Sequence, residues 1–346
     1  MVYIFRYILI FFLSYLTIIA KIEIESISNN SVTLKFLNLN QKSKLAVFIS
    51  EKNLKPNLND KLIPLKNENI SLKQTIKLSS DMYMVFYSDG LKKINIYDLL
   101  HETKYYIKVV NSENKIIIDS LEFFTLSKEP TQQSKFIVFK NVKHNEMTLL
   151  FKKGDGSKRV VFVSDNKKIG LPEDGKSYKA NSNFRALESA VSNGTFCVYN
   201  GNGNELKITG LNPETNYYFR IFEYNGNDQT TNYLLKEDNQ NPRNKIMPLP
   251  SPIALPAINI TSNGFTAKWS KVEGAKYYEI DVSRDSNFNS YVELYEHLDV
   301  GNIDEIEVVD LKPGNYYYRL KAIGKNSRSP YSNVIQVTIE ENYEKN

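Results

Sequence analysis

One short strand signature is written three times in this chain, and no other feature limits its fold as much. It reads Leu99-Leu100-His101-Glu102-Thr103-Lys104-Tyr105-Tyr106-Ile107-Lys108-Val109, then Leu211-Asn212-Pro213-Glu214-Thr215-Asn216-Tyr217-Tyr218-Phe219-Arg220-Ile221, then Leu311-Lys312-Pro313-Gly314-Asn315-Tyr316-Tyr317-Tyr318-Arg319-Leu320. Each copy is an apolar anchor, a polar turn, and a tyrosine leading an alternating strand. Each also follows a run of short alternating strands. Repetition of one β module implies a string of sandwich domains.

The two faces of the signature differ in chemistry. Side chains on a strand alternate, so Tyr217, Phe219 and Ile221 point one way while Tyr218, Arg220 and Phe222 point the other. Tyr105, Ile107 and Val109 oppose Tyr106, Lys108 and Val110 in the same manner. In the third copy the turn is one residue shorter, and Tyr316, Tyr318 and Leu320 oppose Tyr317, Arg319 and Lys321. The face opened by the first tyrosine suits a core, and its hydroxyl can hook back onto turn backbone. The other face carries a tyrosine beside a basic residue.

At 346 residues the chain accommodates three sandwiches of roughly 100 residues each. The net charge of +5 is spread among interspersed acids and bases, with no Lys/Arg block or basic helix. That argues against a nucleic-acid partner. Cys197 is the only cysteine, which excludes an intrachain disulfide and fits a small buried hydrophobe. No segment shows sustained helical periodicity, so an all-β chain is expected.

Residues 1–20 stand apart. Arg6 is their only charge, and Tyr7 to Ala20 is almost continuously apolar, as in a secretory signal. Cleavage after Ala20 leaves an exported chain, and an uncleaved segment would anchor it to a membrane. Module one is expected over residues 21–126 and a linker over 127–135. Module two follows over 136–245, a Pro-rich linker over 246–252, module three over 253–339 and a charged tail over 340–346. Phe48-Ile49-Ser50 echoes Phe162-Val163-Ser164, Val85-Phe86-Tyr87 echoes Cys197-Val198-Tyr199, and Tyr105 echoes Tyr217. Modules one and two therefore read as a duplication.

Module three resembles a fibronectin type III domain. The residues that carry this are Gly264-Phe265-Thr266-Ala267-Lys268-Trp269, Ala275-Lys276-Tyr277-Tyr278-Glu279-Ile280, Leu311-Lys312-Pro313-Gly314 with Tyr316, and Ser329-Pro330-Tyr331-Ser332-Asn333-Val334. Module two resembles a longer fibronectin III-like variant of bacterial surface and secreted proteins, through Asp174-Gly175, Tyr178, Asn181, Val198-Tyr199-Asn200-Gly201 and Phe222-Glu223-Tyr224-Asn225-Gly226. Module one is a degenerate copy without the tryptophan or the Pro-Glu turn. The resemblance implies three tandem immunoglobulin-like sandwiches, and this fold hosts many functions.

Catalytic constellations are not legible. His101, His144 and His297 fall in different modules, each in a polar stretch, and no paired His/Cys spacing occurs. Gly154-Asp155-Gly156 and Asn200-Gly201-Asn202-Gly203-Asn204 lack the carboxylates of a calcium loop and read as tight turns that use positive φ. Asp281 and Asp285 read as a solvated strand edge. The expectation is a non-enzymatic protein without cofactor or metal. It would bind a protein or glycan partner at a cell surface or outside it, or act as a structural spacer in an envelope complex or an accessory to polysaccharide-degrading enzymes. The loops after the signature strands combine aromatics with adaptable polar groups, giving Tyr224, Asn225, Asn227, Arg328 and Tyr331 as candidate contact residues. The outward tyrosines Tyr106, Tyr218 and Tyr317 are the second candidate surface.

Overall fold

The computed structural model describes residues 21–38, 43–57, 64–78, 81–192 and 194–341. The expected signal segment lies outside the described residues. The chain divides into two compact units, Met1–Lys128 and Glu129–Asn346, and its described residues are all-β apart from short 3-10 turns.

In the first unit a four-stranded sheet runs in the order Lys21–Ile27, Val32–Leu37, Lys93–Tyr97, Asn69–Ser71, the last strand parallel to its neighbour. It faces a five-stranded sheet ordered Ile76–Lys77, Tyr83–Ser88, Leu45–Ser50, Lys104–Asn111, Ile116–Phe124. Leu34, Ile94 and Ile96 of one sheet pack against Val47, Ile49, Tyr105, Ile107 and Val109 of the other. The five-stranded sheet is covered on its outer face too, where Ala46, Phe48, Leu78, Met82, Met84 and Val110 form a smaller core. This explains why Leu45–Ser50 reads as an unbroken apolar run, with all six residues buried.

The second unit holds two sheet pairs. In the first, Lys135–Lys140, Met147–Lys152 and Glu205–Ile208 face the sheet Ala190–Ser192, Thr195–Gly201, Lys158–Ser164, Asn216–Asn225. Asn232–Tyr233 and Arg243–Ile246 pair with opposite ends of Asn216–Asn225. In the second, Ala254–Ile258, Phe265–Trp269 and Glu305–Val308 face Leu298–Asp299, Tyr277–Ser283, Gly314–Ile323 and Ile335–Ile339. Strands one, two and five opposing the rest is an immunoglobulin-like arrangement.

The signature tyrosines do what their position requires. Tyr105 and Tyr217 accept hydrogen bonds through their hydroxyls from the Leu100 and Asn212 amides, at 3.0 and 2.9 Å. Tyr316, behind the shorter turn, instead donates to the Lys312 carbonyl at 2.8 Å. Removing one turn residue presents a carbonyl to the ring where the longer turns present an N–H.

The register corrects one detail of the duplication. Phe48 pairs with Met84 and Val47 with Phe86, a bulge falling between them. In the second unit Phe162 pairs with Cys197 and Val161 with Tyr199, with the same bulge. Cys197 therefore corresponds to Met84, and Val198 to Val85. The shift exchanges faces, because Met84 and Cys197 belong to the outer cores while Val85 and Val198 belong to the inner ones.

The Pro-rich segment after residue 246 is built into the fold. Met247 joins the core of the first sheet pair and Leu249 that of the second, each fully buried. Glu214, in the turn of the second signature, closes the joint. Its carboxylate accepts from the Asn326 amide at 2.8 Å and from the Ser327 hydroxyl. A Cβ on Gly324 would lie 2.4 Å from the Glu214 carboxyl carbon, so a larger residue there would push the carboxylate aside.

Burial would raise the Glu214 pKa. The bonds from Ser327, Asn326 and Lys325 outweigh it and hold the carboxyl below its ordinary 4.5. A depressed carboxyl contributes fully above its unfolded-state pKa and loses that contribution as pH falls through the folded value. Small-angle scattering of the chain is therefore expected to show a looser joint as acidification passes below the ordinary carboxyl value of 4.5. Glu214→Gln should already show the looser joint at neutral pH and respond little to acid at this site. A scattering profile that Glu214→Gln leaves unchanged at pH 7 would remove the carboxylate from this role.

Candidate functional site

The strand Asn216–Asn225 turns its outer face to two different environments. Phe222 and Tyr224, near its end, lie under a second core with Phe162, Cys197 and Tyr233, against which Ile169, Tyr178 and Val191 pack. Tyr218 and Arg220, near its start, are half-buried and left facing a recess of about 220 Å³. The recess is walled by Lys167 and Ile169 on one side and by Glu237, Pro242, Arg243 and Asn244 on the other.

Buried polar groups fix the wall formed by residues 234–242. The Gln133 amide donates to the carbonyls of Leu234 at 2.8 Å and Lys236 at 3.1 Å, and its oxygen accepts from the Glu223 amide at 3.0 Å. Asn241 donates to the Ser134 and Ile221 carbonyls at 2.8 and 3.0 Å and accepts from the Ile221 amide at 3.0 Å. Beneath them Glu223, with no exposed surface, accepts from Arg159 Nε at 3.0 Å and Nη2 at 3.1 Å, from the Gly154 amide at 3.0 Å and from the Ser134 hydroxyl. Arg159 also donates to the carbonyls of Gly156 at 2.9 Å, Gly203 at 3.1 Å and Asn202. A loop whose amide partners are all buried holds its surface groups in place before any ligand arrives.

This network also corrects the reading of the glycine turns. Gly154 and Gly203 do not adopt positive φ. They are glycine because a Cβ would lie 2.0 Å from the Gln132 carbonyl oxygen and 2.7 Å from the Tyr199 hydroxyl respectively.

The recess is cationic. Arg220 donates to the Leu235 carbonyl at 2.6 Å, lies 4.8 Å above the Phe222 ring, and approaches Glu237 at 3.4 Å. Burial lowers its pKa, and the charge of Glu237 offsets part of that. The Arg220 side chain is 14% exposed and that of Glu237 is 61% exposed, so the arginine is fixed while its partner is free to move. Arg243 donates to the Ile137 carbonyl and to Gln240 at 3.3 Å. Lys167 is exposed and makes no ion pair among the described residues. Asn244 donates to Asn216 at 2.9 Å, and Asn216 donates to the Tyr218 hydroxyl at 3.0 Å.

The five residues expected from sequence are not brought together. Tyr224 and Asn225 are strand residues rather than loop residues, and Tyr224 is buried with its hydroxyl donating to Asn200 at 2.5 Å. Asn225 accepts from the Ser157 amide at 2.9 Å, and Asn227 caps the 3-10 turn Asp228–Thr230. Tyr224 and Asn227 line a second recess of about 340 Å³ with Lys158, Asn200 and Asp228. Arg328 is exposed beside the turn that Glu214 grips, at the other end of the first sheet pair.

Tyr331 is half-buried against cations, with Arg319 at 3.6 Å and Lys321 at 3.8 Å from its ring centre. Burial, together with the charge of Asp281 and a bond to it, pushes the Tyr331 hydroxyl up to about 12. Asp281 is buried rather than solvated. It accepts from Arg319 Nε at 3.0 Å, and His297 Nδ1 lies 2.9 Å from it, so His297 is not isolated. Phe288 covers the opposite side of the Arg319 guanidinium at 3.9 Å.

The outward tyrosines also differ from one another. Lys104 sits 5.1 Å above the Tyr106 ring, whereas among the described residues Tyr218 has no ring or cation partner across its face. Burial pushes the Cys197 thiol up to about 12, which keeps it protonated and unreactive. Among the described residues no group of three His, Cys, Asp or Glu is placed to hold a metal, and no helix is long and apolar enough to cross a membrane.

No family model and no curated protein matches the chain. Among solved structures it is similar to the chicken CNTN1 FN1-FN3 domains, at 13% identity and a TM-score of 0.27, covering 92% of this chain and 98% of that one. It is also similar to FN3tt mut, at 24% identity and a TM-score of 0.23, covering 27% of this chain and 97% of that one. The sandwich assignment above rests on the sheet pairing itself.

Proposed function

We propose that this protein is an exported, non-enzymatic string of three fibronectin III-like modules that binds a partner at or outside the cell surface. The observation that carries the reading is the recess beside Tyr218 and Arg220, whose wall is pinned by the buried amides of Gln133 and Asn241. Sandwich scaffolds place recognition on segments held by a rigid frame, and this segment is held more firmly than a connection between strands needs. The spacer role has its own support in the Glu214 joint, which couples two sheet pairs into one body. Both roles are compatible in one chain.

The test is a panel of glycans and surface proteins probed with the full chain and with a Tyr218→Ala/Lys167→Gln variant. At least one member is expected to bind the unmodified chain about tenfold more tightly than the variant, as removing contact area and a charge implies. Equal binding by both would move the site away from the recess. No binding to any member would overturn the reading.

A further inference from the structure

We propose that the recess is a subsite for one carboxylate-bearing sugar ring, with the carboxylate held by Arg220 and Lys167 and the ring laid against Tyr218. The inference rests on the binding reading above and names the ligand class for that site.

Glu237 already shows what the Arg220 fork accepts. Its carboxylate stands 3.4 Å from Nη1, too far for a strong bond, on a side chain 61% exposed against 14% for the arginine. A desolvated guanidinium with a loose, solvated partner favours a better-placed carboxylate, because planar two-oxygen anions match its parallel N–H groups. Lys167 on the wall brings the count to two cations against one acid, since Arg243 pairs beside the inward Phe219 and turns its guanidinium to the Ile137 carbonyl and the Phe139 ring. The charge therefore favours an anion even with Glu237 in place.

Size and polarity choose the rest of the ligand. About 220 Å³ is below the roughly 300–1,000 Å³ of sites that enclose drug-sized molecules, and it suits a single ring. The Tyr218 face is uncovered, and a flat aromatic surface accepts the C–H face of a sugar. Asn244 lies on the rim, where it can bond a ring hydroxyl. An acidic peptide side chain would use the cations but would leave the aromatic face and the rim amide without partners.

The experiment titrates the full chain with a short oligogalacturonate, with the same oligosaccharide methyl-esterified, and with a hexaglutamate peptide. Calorimetry follows binding at two salt concentrations. The oligogalacturonate should bind, esterification should weaken it at least ~10-fold, and raising salt from 0.05 to ~0.5 M should weaken it further.

The variants carry opposite signs. Tyr218→Ala and Lys167→Gln should each weaken binding ~5-fold or more, while Glu237→Gln should strengthen it ~3-fold by removing the internal competitor. Thermal midpoints close to that of the unmodified chain confirm that the variants fold. Hexaglutamate binding as tightly as the uronate would overturn the sugar assignment in favour of an acidic peptide. Weaker binding by Glu237→Gln would overturn the competitor geometry. Failure of the uronate to bind, with a recess-dependent neutral ligand found in the panel, would overturn this inference and leave the binding reading standing.

Discussion

Arg159→Ala is expected to destabilise the second unit by about 3–5 kcal/mol, because it leaves the Glu223 carboxylate buried without its counter-charge. In the native chain the two side chains are 3% and 0% exposed, so solvent cannot replace the lost partner. The substitution also leaves the carbonyls of Asn202, Gly203 and Gly156 without their donor. Over a unit of this size the loss corresponds to a fall of roughly 10 °C in thermal midpoint. Arg159→Met combined with Glu223→Leu removes both charges together. It should recover only part of the loss, since the three carbonyls and the Gly154 amide stay unpaired. Denaturant unfolding followed by circular dichroism measures both variants. Arg159→Ala within ~1 kcal/mol of the unmodified chain would show that water reaches the pair and that its network does not hold the loop.

That pair also marks where the sequence is hard to read. Lys158–Ser164 and the second half of Asn216–Asn225 are covered on both faces, so alternation fades there and a charged residue among apolar ones is the only sign of burial. Arg159 and Glu223 both fit that description, yet they lie 64 residues apart, and no local pattern joins them. The repeated signature succeeded because it is local. Anchor, turn and tyrosine lie within a few residues, and the tyrosine hydroxyl closes on its own turn in all three copies. The error at Cys197 has the same origin, since a bulge adds one residue to a strand and a motif alignment cannot see which side chain it displaces.

The candidate surface was half legible. Alternation put Tyr218 and Arg220 outward and together, and the structure places both in the recess. Alternation could not say which part of that face stays open. Segment 165–192 brings Ile169, Tyr178 and Val191 over Phe222 and Tyr224, a tertiary cover with no periodic signal of its own. Tyr224 therefore became a core residue while Tyr218, six positions earlier on the same strand, kept its surface.

Trp269→Ala is expected to cost about 3–5 kcal/mol and to unfold the last sheet pair of the second unit before the rest. Trp269 is 2% exposed, its ring centre lies 5.7 Å from that of Tyr278, and it packs among residues of both facing sheets. Its indole N–H is buried with no hydrogen-bond partner among the described residues. Trp269→Phe therefore loses ring volume but strands no partner, and should cost well under half as much as the alanine. Because Trp269 is the only tryptophan, fluorescence of the unmodified chain reports this sheet pair alone while circular dichroism reports all strands. Leu249 shares the same core, so its collapse should release residues 248–252 for proteolysis while the Met247 side remains folded. Calorimetry of Trp269→Ala should show one transition moved to lower temperature and the others retained. If all transitions moved together, the joint at Glu214 would be strong enough to make the two sheet pairs one cooperative body, and Trp269 would be a keystone of both.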